Sequence, residues 1–254
     1  MNRLLAIAAL SLLAATASCK RLEKADKAPP AAAPAAAPEV TEALDARTLE
    51  GLGFKAAWGA PAPVRRLMPG ASRNGAEVIY ADGKLVSLGG DQFAFVSQGK
   101  LSDAAHIDAG ALSIHYLKRT GTGFERLGAW PEFRVDGTFG APPEWTLRTD
   151  LTPAPALLTE AGGVWQGYAC SWSGLIELTP EKPVVRVESF PVAYDDSGAK
   201  MDERDARAMQ ATVLPGDKGR SFVVRYAGDR KAEVTYALFG DRYAPTTKPD
   251  LLTC

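Results

Sequence analysis

The side chains best suited to acid–base or nucleophilic chemistry are few, and no motif brings them together. The chain has two histidines, His106 and His115. A Ser-His-Asp site can be drawn from His106 with Asp103 or Asp108 and some serine, but the sequence lacks a G-x-S-x-G nucleophile elbow. It also lacks the zinc patterns H-E-x-x-H and C-x-x-C. The sequence therefore selects no catalytic, cofactor-binding or metal-binding residue.

The first 19 residues have the layout of an export signal. Arg3 precedes an apolar stretch at residues 4–15, which is too short to span a bilayer comfortably. The segment ends in Thr16-Ala17-Ser18-Cys19, which resembles the lipobox of bacterial lipoproteins. This resemblance implies that residues 1–18 are removed as a signal peptide and that Cys19 is lipidated, which would anchor the protein to a membrane. Ordinary cleavage after Ala17 would instead leave Cys19 free.

Residues 19–45 have the composition of a tether. They include an Ala/Pro-rich run at residues 28–38, in which proline disfavours helix and alanine alone offers no core. Fully extended, the segment would reach roughly 80 Å. Lys20 follows Cys19, and in the lipoprotein family a residue other than Asp at that position points to the outer membrane. We therefore expect an outer-membrane lipoprotein that faces the periplasm, with a soluble periplasmic or secreted protein as the alternative.

The two remaining cysteines, Cys170 and Cys254, lie far apart in the sequence. Because an exported chain enters a compartment that permits disulfides, we expect them to pair. The bond would restrict the unfolded chain and stabilise the fold by on the order of 4 kcal/mol. Two free thiols, with Cys170 simply buried, are the alternative.

An acidic run at residues 195–205 is the nearest approach to a calcium loop. Carboxylates on a flexible loop suit a hard cation. The spacing does not follow an EF-hand, however, because Ala199 and Ala206 occupy positions that need oxygen ligands. A solvated loop is the simpler interpretation.

The longest β-like run covers residues 162–192 and holds two tryptophans. Interpreted as one strand with a period of two, it has a bulky face that should point to a core. The opposite face carries Trp165 among small residues that include Gly167 and Ser171. Small residues let a ligand approach the backbone closely, and exposed aromatic rings suit glycan strands or a protein partner. Trp165, Gly167 and Ser171 therefore mark the expected binding face.

Regularly spaced Gly and Pro between short β-branched and aromatic runs predict an all-β fold for residues 46–254, a mainly antiparallel sandwich or irregular barrel with one or two short helices. Hairpins are predicted at Asp82-Gly83, at residues 120–123 and at Gly228-Asp229. A short helix is predicted at residues 41–50, capped by Thr41 and ended by glycine. Residues 201–209 suit either a second helix or an exposed loop.

Composition limits the classes of partner that the protein can have but does not define its function. The 254 residues are 46% hydrophobic and 23% charged, with a formal net charge of −1, which argues against nucleic acid as the main partner. We expect a cell-envelope protein that serves binding or envelope assembly rather than catalysis. Its partners would be the membrane, through the lipid anchor, and the cell wall or an envelope protein. The alternatives are an envelope hydrolase that acts on a cell-wall or ester substrate, with His106 or His115 as base, and a small-molecule or ion-binding barrel.

Overall fold

A computed structural model of the chain describes residues 44–68, 72 and 75–254. The predicted signal, Cys19, Thr41 and the tether up to residue 43 lie outside these residues, whereas the last two tether residues lead directly into the first helix. The described residues form one compact unit. Its helix and strands are α1 (Ala46–Trp58), β1 (Val64–Leu67), β2 (Glu77–Tyr80), β3 (Lys84–Gly89), β4 (Gln92–Leu101), β5 (Gly110–Thr120), β6 (Gly123–Asp136), β7 (Glu144–Arg148), β8 (Ala156–Trp165), β9 (Tyr168–Leu178), β10 (Pro183–Asp195), β11 (Ala208–Pro215), β12 (Ser221–Gly228), β13 (Ala232–Phe239) and β14 (Arg242–Pro245).

The strands form two antiparallel sheets, which confirms the predicted fold class. The first sheet has the order β1-β2-β4-β5-β6, with β3 also paired to β4. The second runs without a crossover from β14 down to β7. This order follows from short connections, because consecutive antiparallel strands can pair through tight turns. The second sheet curls enough to bring β14 into contact with β10.

Three apolar clusters hold the unit together. Ile114 and Tyr116 of the first sheet pack with Leu157 and Ile176 of the second, forming the layer between the sheets. The opposite face of the first sheet packs against Phe54 and other residues of α1. A third cluster fills the curl of the second sheet. Both faces of β5 are buried, because its successive side chains point alternately into the layer between the sheets and into the cluster under α1.

The hairpin predicted at Asp82-Gly83 is wrong. The strands on either side of it, β2 and β3, do not pair with each other, and both pair with β4. They lie in line along one edge of β4, because its other edge is taken by β5. Gly83 is needed at the junction for a packing reason, since a Cβ there would lie 2.5 Å from the Phe95 ring. The hairpins at residues 120–123 and at Gly228-Asp229 are confirmed.

The predicted helix is also misplaced. Asp45 is the N-cap of α1 and accepts a hydrogen bond from Thr48 N at 2.9 Å. The helix then continues through Gly51 and Gly53, which were expected to end it, and stops before Gly59. Glycine inside a helix costs about 1 kcal/mol relative to alanine, but burial of Phe54 against the first sheet outweighs that cost.

Residues 201–209 are not an α-helix. They contain a short 3₁₀ turn, Glu203–Asp205, before β11 begins at Ala208. Met201 is fully exposed, and Met209 is buried as part of β11 rather than of a helix. The loop interpretation is therefore the correct one.

Candidate functional site

The predicted binding face lies at the tip of a hairpin rather than along one strand. The run at residues 162–192 breaks at Gln166-Gly167, where β8 turns into β9 and Trp165 pairs with Tyr168. Gln166 and Gly167 have φ values of 51° and 86°, the left-handed geometry of a tight two-residue hairpin turn. Trp165 and Tyr168 thus flank the turn from neighbouring strands.

A stack of aromatic rings fixes the position of Trp165. Its ring lies 5.8 Å from the His106 ring with an interplanar angle of 17°, and His106 in turn lies 4.4 Å from Phe139 at 16°. Trp172 contacts the other end of the row, 6.3 Å from Trp165. Stacked rings at these separations attract one another and limit rotation of the side chains. The row, which we call the outer stack, consists of Phe139, His106, Trp165 and Trp172.

Hydrogen bonds connect the two loops that carry His106 and Phe139. Phe139 N donates to the carbonyl of His106 at 3.2 Å, and Gly140 N donates to the carbonyl of Asp108 at 2.8 Å. The buried Asp108 carboxylate accepts from Ala105 N and from both the amide and the hydroxyl of Ser72. That carboxylate therefore holds the loop that carries His106, a structural role unlike that of a triad carboxylate.

The outer stack is incompletely covered. Phe139 is 61% exposed, and Ile107, next to His106, is 76% exposed. Phe139 also has a φ of 52°, which is unfavourable for a bulky side chain and persists only where the surroundings impose it. The fold therefore sets the backbone at this exposed aromatic residue, and contact with His106 positions its ring.

The other side of Trp165 borders an open cleft of about 530 Å³, which we call the aromatic cleft. Its wall is formed by Trp165, Gln166 and Tyr168 on one side and by Thr253 and Cys254 on the other. The second wall is held by the predicted disulfide, since the sulfurs of Cys170 and Cys254 are at bonding distance and their Cα atoms are 6.5 Å apart. Leu251 and Leu252 also pack against the core of the second sheet. A size of a few hundred cubic ångströms is typical of small-ligand sites.

The three residues of the predicted binding face do not share one surface. Trp165 lines the aromatic cleft, whereas Ser171 lines a separate groove of about 370 Å³ together with Gly162 and Ala169. Gly167 lies at the hairpin tip, where an added Cβ would collide with the backbone of Gly198. Gly167 thus has a structural role, and it lines neither the cleft nor the groove.

The acidic run supports this hairpin tip. Buried Asp196 accepts hydrogen bonds from Arg207 N at 2.6 Å and from the Tyr194 hydroxyl at 3.1 Å, and the Arg207 amide lowers the pKa of this carboxyl. Asp202 is paired with Arg204 at 2.6 Å. Among the described residues, no three His, Cys, Asp or Glu side chains are grouped closely enough to hold a metal ion.

The second histidine lies in a different aromatic cluster. His115 is 2% exposed and its ring lies 4.5 Å from Trp58, which also packs 4.4 Å from Tyr80. Burial, and secondarily the charges of Arg126 and Arg66, lowers the pKa of His115 to about 4. We call Trp58, Tyr80 and His115 the inner cluster.

Polar neighbours form hydrogen bonds with the inner cluster and with one another. Trp58 Nε1 donates to Ser97 Oγ at 3.3 Å, and Tyr80 OH donates to Glu132 Oε1 at 3.3 Å. Ser113 Oγ accepts from Glu132 N at 3.1 Å. Within the described residues, neither imidazole is hydrogen-bonded to a serine or a carboxylate, so the geometry of a catalytic triad is not present there.

Sequence reasoning found Trp165 but missed its neighbours. Phe139 and His106 come from loops 33 residues apart, and Thr253 comes from the end of the sequence. No local pattern links these positions. The useful signal was Cys254, because a bond to Cys170 necessarily brings the preceding residues to β9.

The fold and the cleft together define a two-sheet antiparallel β protein with an aromatic surface site. The chain matches no protein-family model, no curated protein and no solved structure. In the part of the chain that is described, no helix is long and apolar enough to cross a membrane.

Proposed function

We propose that this protein is a cell-envelope lipoprotein whose β-rich domain binds a cell-wall glycan in the aromatic cleft. The observation that carries the proposal is the fixed, partly exposed row of rings beside a cleft with a few polar groups. An aromatic ring packs well against the apolar face of a sugar ring, and a small number of amides and hydroxyls then set its orientation. Trp165 and Tyr168 supply the rings, while Gln166 and Thr253 supply the polar groups.

The rigid construction of the site supports binding. A ligand that meets a preformed surface does not have to order the side chains that receive it, which lowers the entropic cost of association. Trp165 is already held by His106, and the opposite wall is tied to β9 through Cys170. Both walls are therefore in place before a ligand arrives.

The proposed location comes from the N-terminal sequence. Lipidation of Cys19 would keep the domain at a membrane, and the Ala/Pro-rich segment would let it reach the cell wall. A Cys19→Ser variant should move from the membrane fraction to the soluble fraction of cells. Retention in the membrane fraction would contradict the anchor, and it would leave the glycan proposal to its own test.

The binding proposal is tested by calorimetric titration of the full chain with the tetramer of N-acetylglucosamine. Trp165→Ala should weaken binding at least tenfold, because it removes the ring that the sugar contacts. Trp145→Ala is the matched control, since Trp145 lies away from the aromatic cleft and should leave the affinity unchanged. Equal affinity in the Trp165→Ala variant, or no binding by the unaltered chain, would contradict the proposal.

A further inference from the structure

A larger cleft lies beside α1, at the edge of the first sheet. It has a volume of about 630 Å³ and is lined by the first turns of the helix and by residues 81–84. Phe54, Val96 and Trp145 provide its apolar lining. We call it the helix cleft, and it shares no lining residue with the aromatic cleft.

Gly51 keeps the helix cleft open. The two glycines inside α1 differ, because a Cβ on Gly53 would lie 3.0 Å from Phe95, whereas a Cβ on Gly51 would meet nothing within 4 Å. Packing therefore accounts for Gly53 and does not account for Gly51. Glycine at an exposed helix position costs about 1 kcal/mol relative to alanine. Because Gly51 lines the cleft, its effect here is to leave space that a bulky side chain would fill.

The charged groups of the helix cleft are incompletely paired. Lys84 bridges to Glu50 at 3.1 Å and so connects the sheet edge to the helix. Arg47 and Asp82 also line the cleft, and neither forms an ion pair with any described residue. The cleft thus presents one unpaired cation and one unpaired anion together with an indole ring.

We propose that the helix cleft binds a short peptide with free termini. Its carboxylate pairs with Arg47, its ammonium group pairs with Asp82, and its side chains lie against Trp145. Guanidinium and carboxylate groups form charge-assisted hydrogen bonds of this type, and opposite charges on both partners favour a zwitterion over a singly charged ligand. The available volume suits a ligand of two or three residues. This is a second activity, independent of glycan binding.

Calorimetric titration of the full chain with tri-alanine tests the proposal. We expect saturable binding, and at least tenfold weaker binding of N-acetyl-tri-alanine amide, which lacks both terminal charges. Gly51→Phe should abolish binding by filling the cleft, while Gly51→Ala, the matched control, should retain it. Both substitutions favour the helix, so thermal melting should show no loss of stability.

Arg47→Ala provides a second variant that does not depend on filling the cleft. Arg47 is exposed, so its removal should leave the fold intact and weaken tri-alanine binding up to about fivefold. The proposal is overturned if tri-alanine does not bind, if the blocked peptide binds equally well, or if Gly51→Phe or Arg47→Ala leaves the affinity unchanged. None of these results bears on the N-acetylglucosamine titration.

Discussion

The inner cluster and the outer stack both place a histidine against a tryptophan, but they differ in what surrounds the rings. In the inner cluster, α1 covers the rings, and serine and glutamate side chains bond to the polar atoms of Trp58 and Tyr80. In the outer stack, hydrogen-bonded loops position His106 and Phe139 but leave Phe139 largely exposed. The same residue types therefore stabilise the fold in one place and form a surface in the other.

Removing the disulfide should have the largest effect on stability, and it should also weaken binding in the aromatic cleft. Replacing Cys170 and Cys254 with serine releases a bridge between residues 84 apart and should lower the free energy of unfolding by about 4 kcal/mol. Urea denaturation measures this loss. Glycan affinity should fall as well, since Thr253 and Cys254 form a wall of the aromatic cleft.

Titration of His115 in the variant provides the control for that experiment. The inner cluster lies in the other sheet, so the low pKa of His115 should persist when the bridge is removed. A pKa that returned to about 6.5 would show that the two clusters are not independent.

Trp58→Ala should destabilise the fold by about 3 kcal/mol, because it removes the packing of this partly buried ring against Tyr80 and His115 and the donor to Ser97. Trp165→Ala should cost far less stability and should instead weaken glycan binding. Chemical denaturation of both variants gives the comparison. If Trp165→Ala proved as destabilising as Trp58→Ala, the outer stack would be a core element rather than a binding surface.

His115 should make stability depend on pH. Its pKa is lowered from 6.5 to about 4 in the folded state, so the unfolded state binds the proton first as pH falls. The stability contribution is fully present above pH 6.5 and is lost between about pH 6.5 and 4, at a cost of about 3 kcal/mol. His115→Phe should remove this dependence, as measured by unfolding free energies across that range. His106→Phe is the control and should leave it in place.

Phe139→Gly should have the smallest effect on stability. Glycine adopts the observed φ of 52° without strain, and this gain of about 1 kcal/mol offsets much of the lost contact with His106. Thermal melting should therefore change little. A large fall in melting temperature would show that Phe139 supports the fold and is not simply displayed on its surface.

Local sequence rules succeeded where a turn decides the structure and failed where distant packing decides it. The hairpin at residues 120–123 was predictable because glycine readily takes the positive φ that a tight turn needs, as Gly121 does. Asp82-Gly83 gives the same local signal, yet it joins two strands that lie in line along β4, and Phe95 packs onto Gly83 at the junction. At residues 166–167 a turn was missed, because Gln-Gly is a weaker signal than Asn-Gly. The pairing of Cys170 with Cys254 was predictable from the cysteine count.

The candidate site was predictable only through Trp165. Alternation along a single strand grouped Trp165 with Gly167 and Ser171, but the turn at Gln166 places Ser171 in another groove. Backbone hydrogen bonds between their loops hold His106 and Phe139 together, and the His106 ring then stacks on Trp165. Such contacts depend on the completed fold and leave no periodic trace in the sequence.

The central claim, that the outer stack is a binding surface and the inner cluster is not, is tested most directly by nuclear magnetic resonance. Titration of the ¹⁵N-labelled chain with the tetramer of N-acetylglucosamine should shift the indole signal of Trp165 and the amide signals of Gln166 and Thr253. The indole signal of Trp58 should not move. Shifts centred on Trp58, or no shift near Trp165 at saturating ligand, would contradict the account.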